Sequence, residues 1–221
     1  MNTSALLRLM QLSNPTLPIG AYAYSQGAES AIDAQLVVDE TTALRWIQDI
    51  LQSGFAYGDL ALLHHFYQAW SKKDCEKLQA YAELSVAIRE TAELKQEDQH
   101  LATALLRLAE PLQVTIFDAC PYQKTYPLVF AGFASHWKIP LDETMQGFAW
   151  SWVENQLAAM IKLIPLGQTQ GQKMMLAMDA EIQSAVALAK QVPIESIGAS
   201  LMNVAILSSQ HEIQYSRLFR S

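Results

Sequence analysis

Ser25 lies in Ala23-Tyr-Ser-Gln-Gly27, which resembles a nucleophile elbow with alanine in place of the first glycine. Such an elbow presents its serine on a sharp turn between a strand and a helix. Pro15 and Pro18 stand where that strand would run, and no alternation of strands and helices follows. A small serine hydrolase using Ser25 is therefore an alternative, set against a plain turn or capping role. Gly167-Gln-Thr-Gln-Gly-Gln-Lys173 has the look of a phosphate loop. A phosphate loop needs four residues between its glycines, a lysine directly after the second and then Ser or Thr, and none of these conditions is met. The glutamines read instead as hydrogen-bonding side chains on a loop that enters a helix.

Five histidines raise metal chemistry. His64 and His65 are neighbours, so on a helix they point about 100° apart and do not chelate as an i, i+4 pair would. His64 falls toward the Leu60/Leu63/Tyr67 face and His65 toward solvent. His211-Glu212 begins like a zinc-protease helix, but Tyr215 occupies the second histidine's place. A nickel-binding metallochaperone in its own right is the second alternative, although spacing assembles no ligand cluster and no metal site is assigned. Arg89 and Glu93 are one helical turn apart and can pair on a solvated face. In the final stretch, His211 to Ser221, a helical continuation would place Tyr215, Leu218 and Phe219 on one side with Arg217 and Arg220 flanking it. An end carrying such anchors packs back on its own domain or docks on another protein.

These side chains must be positioned by a sizeable core. The 221 residues are 51% hydrophobic and 17% charged, a composition that leaves apolar surface for a partner to cover. The net charge of −7 and the lack of a dense Lys/Arg run argue against nucleic acid. Cys75 and Cys120 are too far apart in sequence for a compact C-x-x-C element and read as reduced thiols. The start carries no secretory pattern, and the most apolar stretch, 144–166, is broken by Glu154, Asn155 and Lys162, so no membrane span and a cytoplasmic location are expected.

Helical spacing runs through the chain. Leu44, Ile47, Leu51 and Phe55 form a stripe in a helix capped by Asp39, and Leu60, Leu63, Tyr67 and Trp70 form another capped by Asp59. Residues 74–110 contain neither Gly nor Pro and predict two helices or one kinked helix. Pro111 to Thr125 is a connection in which Val114-Thr-Ile-Phe117 lacks a strand partner. Further helices are expected from Pro127 to about Trp137, from a cap at Asp142 in a central helix with Met145, Phe148, Ala149 and Trp152 on one face and Trp150, Val153, Leu157 and Ile161 on a second, from Lys173 to Lys190, and from Ser196 to Gln214. The economical architecture is all-α, one domain spanning residues 1–221 with roughly eight to ten helices.

Taken in order, several segments resemble the urease accessory protein UreF family. They are Leu12-Ser-Asn-Pro-Thr-Leu-Pro-Ile-Gly20 running into Tyr24-Ser-Gln-Gly27 and Glu29, then Arg89-Glu-Thr with Glu93-Leu94. Ser151-Trp-Val-Glu-Asn155, Lys162, Pro165-Leu-Gly-Gln168 and the tail from His211 to Ser221 complete the series. Departures are modest: Ala21 and Ala23 stand where Gly and Ser are frequent, and Ile213 where Thr is common. The resemblance implies a homodimeric, non-enzymatic adaptor that bridges a UreD/UreH-type scaffold and a UreG-type GTPase, regulates that GTPase, and serves nickel insertion into the urease apoprotein. It implies no cofactor held by this chain itself; nickel is handled by the complex and GTP is bound by the partner. Partner contacts are expected at His211, Glu212, Tyr215, Arg217, Leu218, Phe219 and Arg220, with residues 211–221 as the docking tail. Tyr24, Ser25, Gln26, Glu29, Arg89, Glu93, Glu154, Lys162 and Gln168 are expected on a GTPase-facing surface or as its internal support.

Overall fold

A computed structural model describes residues 3–120, 123–198 and 201–221. Its described residues form eleven α-helices, three short 3-10 turns and one π turn, and no strand. The helices are α1 (Thr3–Leu12), α2 (Ala28–Asp33), α3 (Glu40–Ile50), α4 (Asp59–Lys72), α5 (Cys75–Ala87), α6 (Ala92–Leu106), α7 (Tyr126–His136), α8 (Leu141–Leu163), α9 (Gln168–Ala177), α10 (Asp179–Ala189) and α11 (Met202–Glu212). The all-α expectation holds, with more helices than the eight to ten foreseen because the short α1 and α2 carry little periodic signal.

The most extensive pairing is between α4 and α7. Both are apolar nearly all round: Leu60 to Leu63 and Phe66 are buried on α4, and Pro127 to Ala134 on α7, so each must be enclosed by other helices. Gly132 of α7 makes room for Phe117 of the 3-10 helix Ile116–Ala119, whose ring an added Cβ would overlap. The indole Nε1 of Trp70 donates to the Leu128 carbonyl at 3.0 Å, which satisfies the one polar atom of a buried ring. Along the 23-residue α8, Met145, Phe148, Ala149, Val153, Leu157 and Met160 are buried, as expected for a central helix.

The ends of the helices show where residue chemistry decided local structure. Asp39 caps α3 as expected: its carboxylate accepts the Thr42 amide at 2.9 Å, and the Thr42 hydroxyl accepts the Asp39 amide at 3.0 Å. Asp59 and Asp142, expected as caps, are instead inside the first turns behind Gly58 and Pro140. Their carboxylates go to Arg89 and to Lys190, the latter at 2.8 Å. The break foreseen in residues 74–110 falls at 88–91, with Asp74 and Thr91 capping α5 and α6. Val114 and Thr115 are irregular, and Ile116 and Phe117 open a 3-10 helix.

Three expectations are corrected. Gln168 to Lys173 is the opening of α9 and not a loop, because Gly167 acts as N-cap and its amide is taken by Gln170 Oε1 at 2.8 Å. The helix expected from Lys173 to Lys190 is two helices that meet at Met178. Cys75 and Cys120 are joined in a disulfide with their Cα atoms 5.5 Å apart. Sequence separation excluded a compact motif but said nothing of distance once α5 and α6 fold back. The expected start of the last helix crosses residues 199–200, and the expected chain start includes Met1 and Asn2; these lie outside the described residues.

Candidate functional site

The C-terminal tail is where the sequence-selected residues gather. The helix of which it was expected to be part ends at Glu212, and residues 213–221 run without helix across the start of α2. Tyr215, Leu218 and Phe219 therefore do not share one helical face. Instead Phe219 turns inward and is buried, while Tyr215 and Leu218 point out, with Leu218 63% exposed and Tyr215 fully so. Arg217 and Arg220 are exposed as well.

Glu29, on the first turn of α2, seats this strap. Its carboxylate accepts the Leu218 amide at 2.7 Å, the Phe219 amide at 2.9 Å and a hydrogen bond with His211 Nε2 at 3.2 Å. The other ring nitrogen of the buried His211 meets Glu93 Oε2 at 2.7 Å, and Arg217 pairs with the second oxygen of Glu93. The Glu93 amide donates to Glu212 at 3.2 Å. Thus the expected Arg89–Glu93 pair is replaced. Arg89 sits in the break before α6, where its guanidinium binds Asp59 through both terminal nitrogens and Asp98 at 3.1 Å. Burial works against the Arg89 charge, but Asp59 and then Asp98 outweigh it and hold its pKa above the ordinary value. This segment is not the solvated face that i, i+4 spacing suggested.

The end of the strap closes over Ser25 and Gln26. The Ser221 carbonyl accepts the Ser25 amide at 2.8 Å, the Gln26 amide at 3.1 Å and the Ser25 hydroxyl at 2.6 Å, while the Arg220 amide donates to Ala23 at 2.8 Å. A hydroxyl occupied in this way, preceded by a 3-10 turn rather than a strand, does not have the setting of a nucleophile elbow. The Ser221 hydroxyl donates to Glu97 at 2.6 Å, and the opposite oxygen of Glu97 accepts Gln26 Nε2 at 2.6 Å. Tyr24 is buried, with its hydroxyl 3.1 Å from His100 Nδ1 and its carbonyl accepting from Asn155 at 3.1 Å. Lys162, at the end of α8, lies over the rings of Tyr22 and Phe219 at 5.8 and 5.5 Å.

Behind the strap are two cavities of about 140 and 130 Å³. Glu97, Asp98 and half-buried Glu154 line the first, with Tyr126 and Trp152. Burial pushes Glu97 up to about 7, against the pull of its bonds to Ser221 and Gln26, and pushes Asp98 up to about 6, against Arg89. Tyr126 is raised by burial and by Glu97, and Glu154 by burial. His64, elsewhere in the core, is pushed down to about 4 by burial and then by its neighbour His65. Among the described residues no group of three or more His, Cys, Asp or Glu is arranged to hold a metal ion, and no helix is long and apolar enough to cross a membrane.

Of the residues selected from sequence, Tyr24, Ser25, Gln26, Glu29, Glu93, Lys162, His211, Glu212 and Arg217 to Arg220 meet around the strap. Glu154 lines the cavity behind it, and Gln168 stands exposed at the start of α9, outside this network. Sequence reasoning missed Asp59, Glu97, Asp98 and Trp152. The available signal was Glu97, one turn beyond Glu93 on a helix whose Leu101 and Leu105 are core residues.

The UreF family profile matches residues 37–179. A protein named urease accessory protein UreF from Marinomonas sp. (strain MWYL1) is 42% identical over 216 residues, covering 98% of this chain and 94% of its own length. Proteins of the same name from Teredinibacter turnerae and Janthinobacterium sp. (strain Marseille) are 41% and 38% identical, the first over 98% of each chain and the second over the full length of both. With the profile matching well over half of its residues and these relatives aligned along nearly all of it, this all-α chain belongs to the UreF family of urease accessory proteins.

Proposed function

We propose that the chain is a non-catalytic, cytoplasmic adaptor that acts as a homodimer in urease maturation, bridging a UreD/UreH-type protein and a UreG-type GTPase on the urease apoprotein and regulating that GTPase. Nickel is then the cargo of the assembled complex, and GTP is bound by the GTPase. The observation that carries this reading is the two-sided tail. Phe219, Ser221 and the Glu29 carboxylate fix the inner side, while Ile213, Tyr215 and Leu218 are 85%, fully and 63% exposed on the outer side. A fixed strap that presents aromatic and aliphatic side chains, flanked by Arg217 and Arg220, suits a partner interface because little ordering entropy is lost on docking. The residues 211–221 are thus the docking tail for the UreD/UreH-type partner, and the single-domain body is its support.

Co-expression with the two partner types and affinity capture tests the reading. The Tyr215→Ala/Leu218→Ala chain, whose inner anchors are intact, is expected to stay folded and to lose capture of the UreD/UreH-type protein. Undiminished capture by that variant would remove the tail from the interface.

A further inference from the structure

The Cys75–Cys120 bridge ties the first residue of α5 to the residue that follows the 3-10 helix Ile116–Ala119. Between α6 and α7 that short helix is the one regular element of the described chain. Its seat on the core is Phe117, whose ring lies edge-on to Trp70 at 5.5 Å and tilted against Phe133 at 5.4 Å, in the notch left by Gly132. Farther along, the Tyr126 amide donates at 2.9 Å to Asp98, the carboxylate that also holds Arg89. The bridge thus fastens a connection that leads into the buried polar network.

The two sulfurs are unequally placed. Cys120 is 6% exposed, whereas Cys75 is half-buried between the exposed Lys73 and Glu76. The carbonyl oxygens of Lys73 and Ala119 each lie 3.8 Å from the Cys75 sulfur, so an S–H formed there has an acceptor with no movement of the backbone. Such a site accommodates both oxidation states, and a bridge that can be reached at one sulfur is of the labile kind. The adaptor reading supplies only the cytoplasmic setting, in which thiols are kept reduced and bridges turn over. We infer that Cys75–Cys120 is a reversible redox clamp on residues 111–120, opened by a low-molecular-weight thiol and closed by the corresponding disulfide. The thiolate attacks Sγ of Cys75, the bond to Cys120 breaks, and Cys120 leaves as a thiolate that takes up a proton. A second thiol displaces Cys75 from the mixed disulfide. Two electrons and two protons then reside on the protein, and one disulfide of the reagent is released. The opening is local, because α5 keeps its packing on α4 and α6 keeps its packing on α7.

Reduction of the full-length chain by glutathione, followed by alkylation and mass spectrometry at increasing sub-denaturing urea, tests the first half of this inference. The rate is expected to stay level as urea rises, since attack falls on the folded chain; a rate that climbs in step with global unfolding would overturn the clamp. Amide exchange of the oxidised and reduced chains tests the second half. Val114 and Asp118, which donate to Ala109 and Thr115, should exchange at least about tenfold faster after reduction, beyond any rise seen in the middle of α4. Unchanged rates at these two amides, or a rise by the same factor as in α4, would show that the bridge acts only on the unfolded chain and would equally overturn the clamp. Neither measurement involves a partner or a compartment, so its failure is separate from failure of the adaptor reading.

Discussion

Replacing Glu29 with alanine removes the acceptor on which the strap is seated. Two backbone amides, those of Leu218 and Phe219, donate to this carboxylate at 2.7 and 2.9 Å, and among the described residues neither has another acceptor. Hydrogen bonds to a charged group contribute about 1.5–3 kcal/mol each, and a buried donor left unpaired costs about 1–3 kcal/mol. The Phe219 amide is buried, whereas the Leu218 amide is only partly so and can turn to water. Allowing for that replacement, the closed strap should lose about 2–4 kcal/mol. In native-state hydrogen exchange this corresponds to a rise of roughly 30- to 1,000-fold at Leu218 and Phe219, capped at the rate of unstructured chain once the strap is mostly open. Amides in the middle of α4, which the strap does not touch, serve as the reference for global stability. Exchange at Phe219 within about threefold of the wild-type rate would show that the ring of Phe219 and the contacts of Ser221 hold the strap without Glu29.

Two further outcomes follow from the buried groups. Glu97 is raised from its ordinary 4.5 to about 7 by burial, so its protonated form favours the fold; that contribution is present below 4.5 and is lost as the pH rises through 7. Glu97→Gln should therefore gain on the wild type by about 3 kcal/mol across this window in urea unfolding, and a gap that does not change with pH would refute the assignment. Measuring the difference matters because His64, pushed down from 6.5 to about 4, works in the opposite direction, its stabilisation being lost as the pH falls through the same range. The Cys75–Cys120 bridge spans 45 positions of sequence, for which loop-closure entropy gives at most about 4 kcal/mol. Reduction, or Cys75→Ser with Cys120→Ser, should lower Tm by up to roughly 8–16 °C, and equal melting with and without reductant would show that the link does not constrain the unfolded chain.

The helices were legible where one face is apolar and the ends carry side-chain caps, as at Asp39 and across 74–110. They were less legible where a glycine or a backbone kink sets the boundary. Gly167 starts α9 within a glutamine-rich stretch that reads as loop, and Met178 divides two helices with no proline or glycine to mark the place. The tail shows a different limit. Its residue types correctly announced anchors, but their order along the chain fits a helix as well as the extended path they follow, and the choice is made by Glu29, some 190 positions away. Arg89 is the same case: a local partner at i+4 satisfies the spacing rule, while two carboxylates on other segments satisfy the geometry. Propensity and periodicity are local, and the buried polar network is not.

That network also explains why the strap is held by charge where apolar anchors would be simpler. Burying a carboxylate costs desolvation that its hydrogen bonds only offset, so Glu29 and Glu93 contribute less to net stability than apolar side chains of equal volume would. What they impose is position. The Glu29 carboxylate accepts two successive amides, and a shift of the strap by one residue would present it with a different pair and withdraw Phe219 from its buried seat. Apolar contacts alone tolerate such slippage. The inner polar bonds therefore fix which side chains, Tyr215 and Leu218, stand outward.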